Sequence, residues 1–217
     1  MVSLQSPGLG IAMSFVHLHV HSQYSFLDGA SSIDKLLQKA VVLDMPALAI
    51  TDHNRLTGAI RFYVKAKALG IKPIVGAEID LEGGYHLTLL CKNVEGYSNL
   101  CQLLTKAHLS NRNSKPRATK EMLQEHNKGL IALSGCAKGE IPTLISKGDT
   151  KKAHIVASEY KDIFGSDFHI ELIRYRSREW NPILHTLSSF ASEEGIPTVA
   201  TNNVHYAEYE DYKVKEL

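Results

Sequence analysis

The chain has 217 residues, of which 44% are hydrophobic and 22% are charged, so its composition excludes a disordered protein and fits one globular domain with a substantial core. Its 24 basic and 23 acidic residues give a formal charge of +1, which excludes a strongly basic nucleic-acid binder and leaves room only for local DNA contact. Three cysteines without a CxxC pair argue against a disulfide framework and suit a cytoplasmic protein. The sequence contains no apolar run long enough for a membrane span and no secretory signal pattern.

Strand-like apolar runs alternate with amphipathic helical segments along the chain, which is typical of an α/β domain. Residues 1–12 are predicted to be a loose N-terminal extension, and residues 13–217 a single domain. The first predicted strand is "FVHLHVHS", followed by the helix "SIDKLLQKAVVLD" with Ser31 or Ser32 as its N-cap. A buried strand, "ALAITDH", precedes the helix "TGAIRFYVKAKALG", which should stop at Gly70.

The second half of the chain continues the same alternation. "IKPIVGAEIDL" and "YHLTLLCKN" are predicted strands, "EGYSNLCQLLTKAHLS" is a helix, and "NRNSKPRAT" is a polar loop. "KEMLQEHNKG" predicts a helix and "LIALSGC" a strand. After "DTKKAHIVASEYKDIFG", the pattern predicts the strand "FHIELIR", the helix "WNPILHTLSSFASEEG" and the last strand "IPTVATNNVHY".

Residue types that bind metals recur where the predicted strands end. They are His19 and His21, His53, Glu78, Cys136, and His205. In β/α barrels the active site lies at the carboxyl ends of the strands, where residues from distant parts of the sequence converge. The pattern therefore predicts a closed or nearly closed barrel with a metal site at its mouth.

Three histidines alternate in the first strand. Alternate strand residues share a face and lie about 7 Å apart, so His17, His19 and His21 can all point into one space. Ordinary histidines on a half-buried strand are the alternative interpretation. The "TDH" that ends the next strand favours a ligand role for at least two of the three.

Six motifs in order carry a resemblance to a known family. They are "HLHVHSQYSFLDG", "ALAITDHN", "IKPIVGAE", "AHL", "LSGCAKGEIP" and "TVATNNVHY". Together they resemble the polymerase-and-histidinol-phosphatase (PHP) domain, in the form found at the amino end of the bacterial DNA polymerase III alpha subunit. The likeness runs from about Phe15 to Tyr206.

The resemblance implies a distorted (βα)7 barrel of the TIM type that holds up to three divalent metal ions and hydrolyses phosphoesters. Carried over by motif, the implied metal ligands are His19, His21, Asp28, His53, Glu78, His108, Cys136, Asn203 and His205. The catalytic role is implied for six of these: His19, His21, Asp28, His53, Glu78 and His205. Glu78 would bridge two cations at the roughly 3.5–4 Å spacing of two-metal hydrolysis. A histidine-rich site with a thiolate favours zinc, and mixed nitrogen and oxygen ligands also admit manganese or iron.

One position departs from the family pattern. Where metal-loaded members typically carry Asp in a final D-x-H, this chain has Asn203. An amide oxygen can still bind a metal but brings no negative charge, so we expect weaker occupancy of one position and reduced or absent hydrolysis.

Several residues have two open interpretations. His17 is expected either to support a ligand or to be one. Arg55, Lys115 and Arg117 could bind phosphate or lie on a solvated basic surface. Asp52 could orient the site or cap the next helix. Ordinary structural roles are expected for His86, His126, His154, His169, His185, Cys91 and Cys101.

Three functions remain open from the sequence. The first is a metal-dependent phosphoesterase, with 3′–5′ exonuclease or proofreading-like action on DNA. The second is a catalytically weakened module that stabilises a polymerase core and docks a proofreading subunit. The third is a small-molecule phosphatase of the histidinol phosphatase type. No palm-type cluster of catalytic aspartates is present, so we expect either an excised polymerase domain or a free-standing homologue that does not itself synthesise DNA.

Overall fold

A computed structural model describes residues 15–110, 114–175 and 180–215, and it confirms the α/β class. The predicted extension, residues 1–12, lies outside the described residues. The strands are β1 (Ala47–Ile50), β2 (Lys72–Asp80), β3 (His86–Cys91), β4 (Leu130–Leu133), β5 (Phe168–Ile173) and β6 (Thr198–Thr201). The helices are α1 (Ile33–Val42), α2 (Ala59–Ala68), α3 (Val94–Ser110), α4 (Lys120–His126), α5 (Glu140–Ser146), α6 (Thr150–Phe164), α7 (Trp180–Glu193) and α8 (Tyr212–Lys215).

The strands form one curled sheet in the order β1-β2-β3-β4-β5-β6 over the described ranges. Strand β3 runs antiparallel to both β2 and β4, and the other neighbours are parallel. The β2–β3 hairpin register places Glu78 opposite Thr88 and Asp80 opposite His86. Directly opposed residues project to the same face of a sheet, so this hairpin brings two carboxylates and an imidazole together.

The strand predicted for "FVHLHVHS" is wrong as a regular element. Val20 makes a single parallel bridge with Val204, and no continuous ladder is assigned there. The segment is nevertheless bonded on both sides: the His21 amide donates to the Val204 carbonyl (2.7 Å), and the Thr51 amide donates to the Val20 carbonyl (2.8 Å). It therefore lies between the region of β1 and the chain that follows β6.

The last predicted strand is shorter than expected. β6 ends at Thr201, and Asn203 adopts a φ of +47°, in the left-handed region that a regular strand does not use. His205 therefore reaches the site from a turn segment after the strand.

Helix boundaries follow the sequence signals closely. Ser32 is the N-cap of α1, where its side chain accepts a hydrogen bond from the Lys35 amide (3.2 Å). Gly70 follows α2 with a φ of +75°, as predicted for a C-terminal glycine. The sequence analysis did not predict α5, a helix of seven residues with Pro142 in its first turn.

Most of the buried apolar residues among those described belong to two clusters. Ile33, Leu37 and Phe62 of α1 and α2 are buried in one cluster with strand β1. A larger cluster joins β2 to β5 with α3 to α7 and contains the buried aromatic residues Tyr160 and Phe168. These two cores hold the strands that carry the polar site. None of the described helices combines the length and apolar character needed to cross a membrane.

Candidate metal centre

His19, His21 and Glu78 form the most deeply buried part of the site. Nε2 of His19 lies 3.2 Å from Nε2 of His21 and 2.5 Å from Oε2 of Glu78. All three side chains are completely or almost completely buried. Two imidazole nitrogens and a carboxylate oxygen that converge without solvent are a set of atoms that suits a divalent cation.

The other nitrogen of His19 is held by a carboxylate. Nδ1 donates to Oε1 of Glu171 (2.7 Å), and Thr201 Oγ1 also donates to that oxygen. Burial alone would lower the pKa of His19, but the charges of Glu171 and Glu78 outweigh it and raise the pKa to about 10. A proton therefore occupies Nε2 when no cation is bound, and a cation must displace it.

His21 is oriented by a different chain of hydrogen bonds. Its Nδ1 donates to Ser25 Oγ (3.0 Å), and Ser25 Oγ donates to Oδ1 of Asp52 (2.7 Å). Asp52 also accepts from the amide (2.7 Å) and hydroxyl (2.8 Å) of Ser22. Burial lowers the pKa of His21 well below its ordinary value, so the ring is neutral and its Nε2 carries a lone pair that can bind a cation. Asp52 thus orients the site, and α2 is capped at Gly58 instead.

The two carboxylate oxygens of Glu78 contact different histidines. Oε2 points to His19, while Oε1 lies 3.2 Å from Nδ1 of His53 and makes a close contact with Nδ1 of His86. Burial would raise the pKa of Glu78, but His19 and the contact with His86 hold it well below its ordinary value. The two carboxylate oxygens of Glu78 therefore face different imidazoles.

Asp28 lies on the loop that follows the histidine segment. Its Oδ2 is 2.8 Å from Nε2 of His53 and 3.0 Å from Nδ1 of His205. The loop can return so tightly because of Gly29, where a Cβ atom would lie 1.9 Å from the Ser22 carbonyl oxygen.

Cys136 lies after β4, and its Sγ is 3.6 Å from Nδ1 of His86. Burial, with a smaller contribution from Glu78, raises the pKa of this thiol above its ordinary value. The sulfur therefore carries a proton in the absence of a cation. A cation must displace this proton to bind, because only the thiolate binds metals well.

The donor atoms fit a divalent metal. Four groups of three ligand atoms lie within 4.8 Å of one another: His19, His21 and Glu78; His21, Asp28 and His205; His53, Asp80 and His86; and Glu78, His86 and Cys136. Shared members show that these groups overlap. Asn203 Oδ1 is buried without a hydrogen-bond partner among the described residues, and such an atom is costly unless a ligand satisfies it.

Two candidate histidines, His17 and His108, lie outside these four groups. His17 lines a separate cavity with Leu36 and Met45, and burial lowers its pKa. His108 donates from Nε2 to the carbonyl of Asn54 (2.8 Å) and lies beyond the four groups. Asn203 lines the main cavity, where its buried Oδ1 has no hydrogen-bond partner among the described residues.

A cavity of about 570 Å³ opens beside the metal-binding side chains. Arg55 and Lys115, two of the three candidate phosphate-binding residues, line it, whereas Arg117 is not among its lining residues. Lys138 and Tyr175 also line it, although the sequence analysis did not select them. Burial raises the pKa of Tyr175, so its phenol keeps its proton at neutral pH.

The sequence analysis missed Asp80, His86 and Glu171. Glu78 and Asp80 alternate on a strand, and the "EGG" turn pairs that strand with the one that His86 begins. A hairpin register drawn from this turn would have placed Asp80 opposite His86. Glu171 is a charged residue within the apolar run "FHIELI", and this interruption was the available signal.

The remaining histidines and cysteines lie elsewhere. His126 lies 3.9 Å from Glu125, and His154 pairs with Glu194 (2.6 Å). Cys91 packs against the main core as a small apolar residue, as predicted. The residues outside the four groups are His126, His154, His169, His185, Cys91 and Cys101.

Residues 17–175 match the PHP domain family, which covers the histidine segment, the hairpin and Cys136. The chain belongs to this family. It is 45% identical to the error-prone DNA polymerase of Symbiobacterium thermophilum (strain DSM 24528), over 94% of this chain and 20% of that protein. It is 42% identical to the DNA polymerase III subunit alpha of Thermus aquaticus, over 96% of this chain and 18% of that protein. The PHP chain thus spans about a fifth of the length of these relatives.

Solved structures show the same fold at low sequence identity. An amidohydrolase from Chromobacterium violaceum, with bound sulfate and no metal, has a TM-score of 0.64 at 16% identity, over 90% of this chain and 89% of that one. A two-domain protein from Bacteroides vulgatus, described as containing a predicted PHP-like metal-dependent phosphoesterase, has a TM-score of 0.59 at 15% identity, over 93% of this chain and 55% of that one. At these identities the likeness concerns the fold.

Proposed function

We propose that this PHP chain is a metal-dependent phosphoesterase that removes nucleotides from DNA 3′ ends. The observation that carries the proposal is Glu78, whose two carboxylate oxygens face separate sets of imidazoles beside an open cavity. Divalent cations held there would supply positive charge for the phosphate and lower the pKa of a bound water. Zinc, manganese and iron are the candidate ions, because the ligands combine imidazole, carboxylate and thiol.

The proposed activity requires residues that bind metal ions and residues that bind the phosphate. Cations would be held by His19, His21, Asp28, His53, Glu78, Asp80, His86, Cys136 and His205. Arg55, Lys115 and Lys138 would bind phosphate oxygens, since they line the same cavity. Tyr175 would donate a hydrogen bond from its protonated phenol.

Closure of the curled sheet into a barrel is part of the same proposal. The segment 17–21 lies between β1 and the chain after β6, and we infer that it closes the curled sheet as the seventh strand of a distorted (βα)7 barrel. Slow hydrogen exchange at the amides of His21 and Thr51 supports closure, and exchange at the rate of exposed amides rejects it.

The proposed association with a polymerase is inferred from the relatives. The PHP chain corresponds to about a fifth of polymerases whose names include DNA polymerase III subunit alpha. We propose that it works beside a polymerase core in the cytoplasm, with residues 13–217 as one domain and DNA as its local contact.

The test is 3′-end release from labelled single-stranded DNA, with manganese, zinc or iron(II) added separately. The purified protein should release nucleotides, and His53→Ala should remove most of that release. His154→Ala is the matched control, because His154 pairs with Glu194 away from the site. If none of the three ions supports release, the hydrolytic proposal is rejected.

A second function is favoured by Asn203, which puts a neutral amide in the cavity. In this alternative the chain stabilises a polymerase core and docks a proofreading subunit without hydrolysis. Retained polymerase stability and proofreading-subunit binding after His53→Ala, together with absent nucleotide release in the unmodified protein, would support this alternative.

A further inference from the structure

Two large apolar side chains are exposed to solvent at the tip of the loop that carries Asp28. Phe26 is 66% exposed and Leu27 is fully exposed, and Leu27 has a φ of +63°. A positive φ is uncommon for leucine and costs free energy, so the surrounding structure must maintain it. The loop is anchored just before these residues, where Ser25 Oγ donates to Asp52. The apolar tip is therefore presented by a fixed turn.

Arg55 covers part of the Phe26 ring. Its guanidinium carbon lies 4.4 Å from the ring centroid, the geometry of a cation–π contact. Arg55 Nε also donates to the carbonyl of His53 (3.1 Å), which fixes the guanidinium beside the site. Arg55 lines the main cavity, and so does Asp28, two residues after Phe26. The aromatic ring is thus in contact with one residue that lines the cavity and lies two positions from another.

We propose that Phe26, supported by Arg55, is a stacking platform for the base of the nucleotide whose phosphate enters the cavity. This inference rests on the proposed function and narrows its substrate to DNA with an unstacked terminal base. Exposed aromatic rings beside cationic side chains hold single strands through base stacking, which every base permits. Lys115 and Lys138 provide cationic groups in the adjoining cavity for the phosphate.

A consequence is selectivity for single-stranded or frayed ends. A terminal base within a duplex is already stacked on its neighbour, so its transfer to Phe26 requires that contact to be broken. A mispaired end has less stacking and pairing to lose. The platform therefore favours frayed ends over paired ends without reading the base sequence.

The decisive experiment measures DNA binding without added metal, so that it does not depend on turnover. Fluorescence anisotropy compares two labelled single-stranded oligodeoxythymidines, one complete and one lacking the 3′-terminal base. The proteins are the unmodified chain, Phe26→Ala, Phe26→Trp and Ile60→Ala. Ile60 is the matched control because it is an apolar side chain of similar exposure, 65%, on α2 and outside the loop that carries Phe26.

Phe26→Ala should weaken binding of the complete strand by roughly tenfold and leave binding of the strand without its terminal base unchanged. Phe26→Trp should retain the preference for the complete strand, and Ile60→Ala should behave like the unmodified chain. Equal losses on both strands, no loss on either, or no binding by the unmodified chain would overturn the platform. A Phe26→Ala defect confined to binding a polymerase fragment would also reject it, in favour of a protein-docking role.

Hydrolysis is measured separately to distinguish the two proposals. A chain that cleaves neither DNA nor bis(4-nitrophenyl) phosphate with manganese, zinc or iron(II) added separately contradicts the phosphoesterase proposal, whereas the binding preference tests Phe26 independently. If hydrolysis occurs, Phe26→Ala should reduce cleavage of DNA and spare bis(4-nitrophenyl) phosphate, which has no nucleobase.

Discussion

His19 and Glu171 are joined by a contact of 2.7 Å between Nδ1 and Oε1, and both side chains are completely buried. The two residues are 152 positions apart in the chain. A carboxylate behind a metal-binding imidazole fixes the orientation of the ring and makes its free nitrogen more basic. The pair therefore links β5 to the first histidine segment at the centre of the candidate site.

Replacement of Glu171 by Gln should weaken divalent-metal binding by about 10- to 100-fold, because the amide removes the charge that supports His19. Competition with a chromogenic chelator measures the change. Glu140→Gln is the matched control, since Glu140 is a buried glutamate that accepts from Tyr160 (3.0 Å) away from the site. An equal loss in both variants would indicate general destabilisation and contradict a specific role for Glu171.

His86 and His108 should differ in their effect on the amount of metal that the protein binds. His86→Ala should lower the amount of tightly bound metal, because His86 belongs to two candidate ligand groups. His108→Ala should leave it unchanged, because His108 Nε2 is engaged by the Asn54 carbonyl. Elemental analysis after dialysis against the metal gives the comparison. The reverse result would show that the ligand set implied by the family resemblance is correct at His108 and that our placement of His86 is wrong.

Asn203→Asp should strengthen metal binding by about tenfold or more, because a carboxylate adds a negative charge at a buried oxygen that has no described hydrogen-bond partner. Chelator competition and nucleotide release test the two consequences. Asn202→Asp is the control, because this neighbour is exposed and does not line the cavity. If Asn203→Asp changes neither quantity, the amide is not what limits the site.

Asp52→Ala should lower the free energy of unfolding by roughly 3 kcal/mol, since three donors from Ser22 and Ser25 would lose a buried charged acceptor. Denaturant unfolding of the metal-free protein measures this change in the free energy of unfolding. Asp149→Ala, which removes the exposed N-cap of α6, should cost about 1 kcal/mol. A loss at Asp52 no larger than that at Asp149 would show that the loop is held by other contacts.

The sequence by itself determined the α/β class, most helix boundaries and much of the candidate site. Local signals predicted Gly70 and limited the N-cap of α1 to Ser31 or Ser32, because capping depends on residues a few positions apart. The alternating histidines and the motifs around His53 and Glu78 predicted one shared site, and the structure brings His19, His21, His53 and Glu78 together.

The tertiary structure decided which nearby residues join that site. His86 and Asp80 meet through strand register, and Glu171 reaches His19 across the sheet, which single-residue context does not reveal. His17 fits the alternation yet lines another cavity, while His108 lies in a family motif yet binds a carbonyl. Local sequence specifies which residues have ligand chemistry, but the positions of their donor atoms depend on long-range pairing and packing, because atoms must approach within a few ångströms to share an ion.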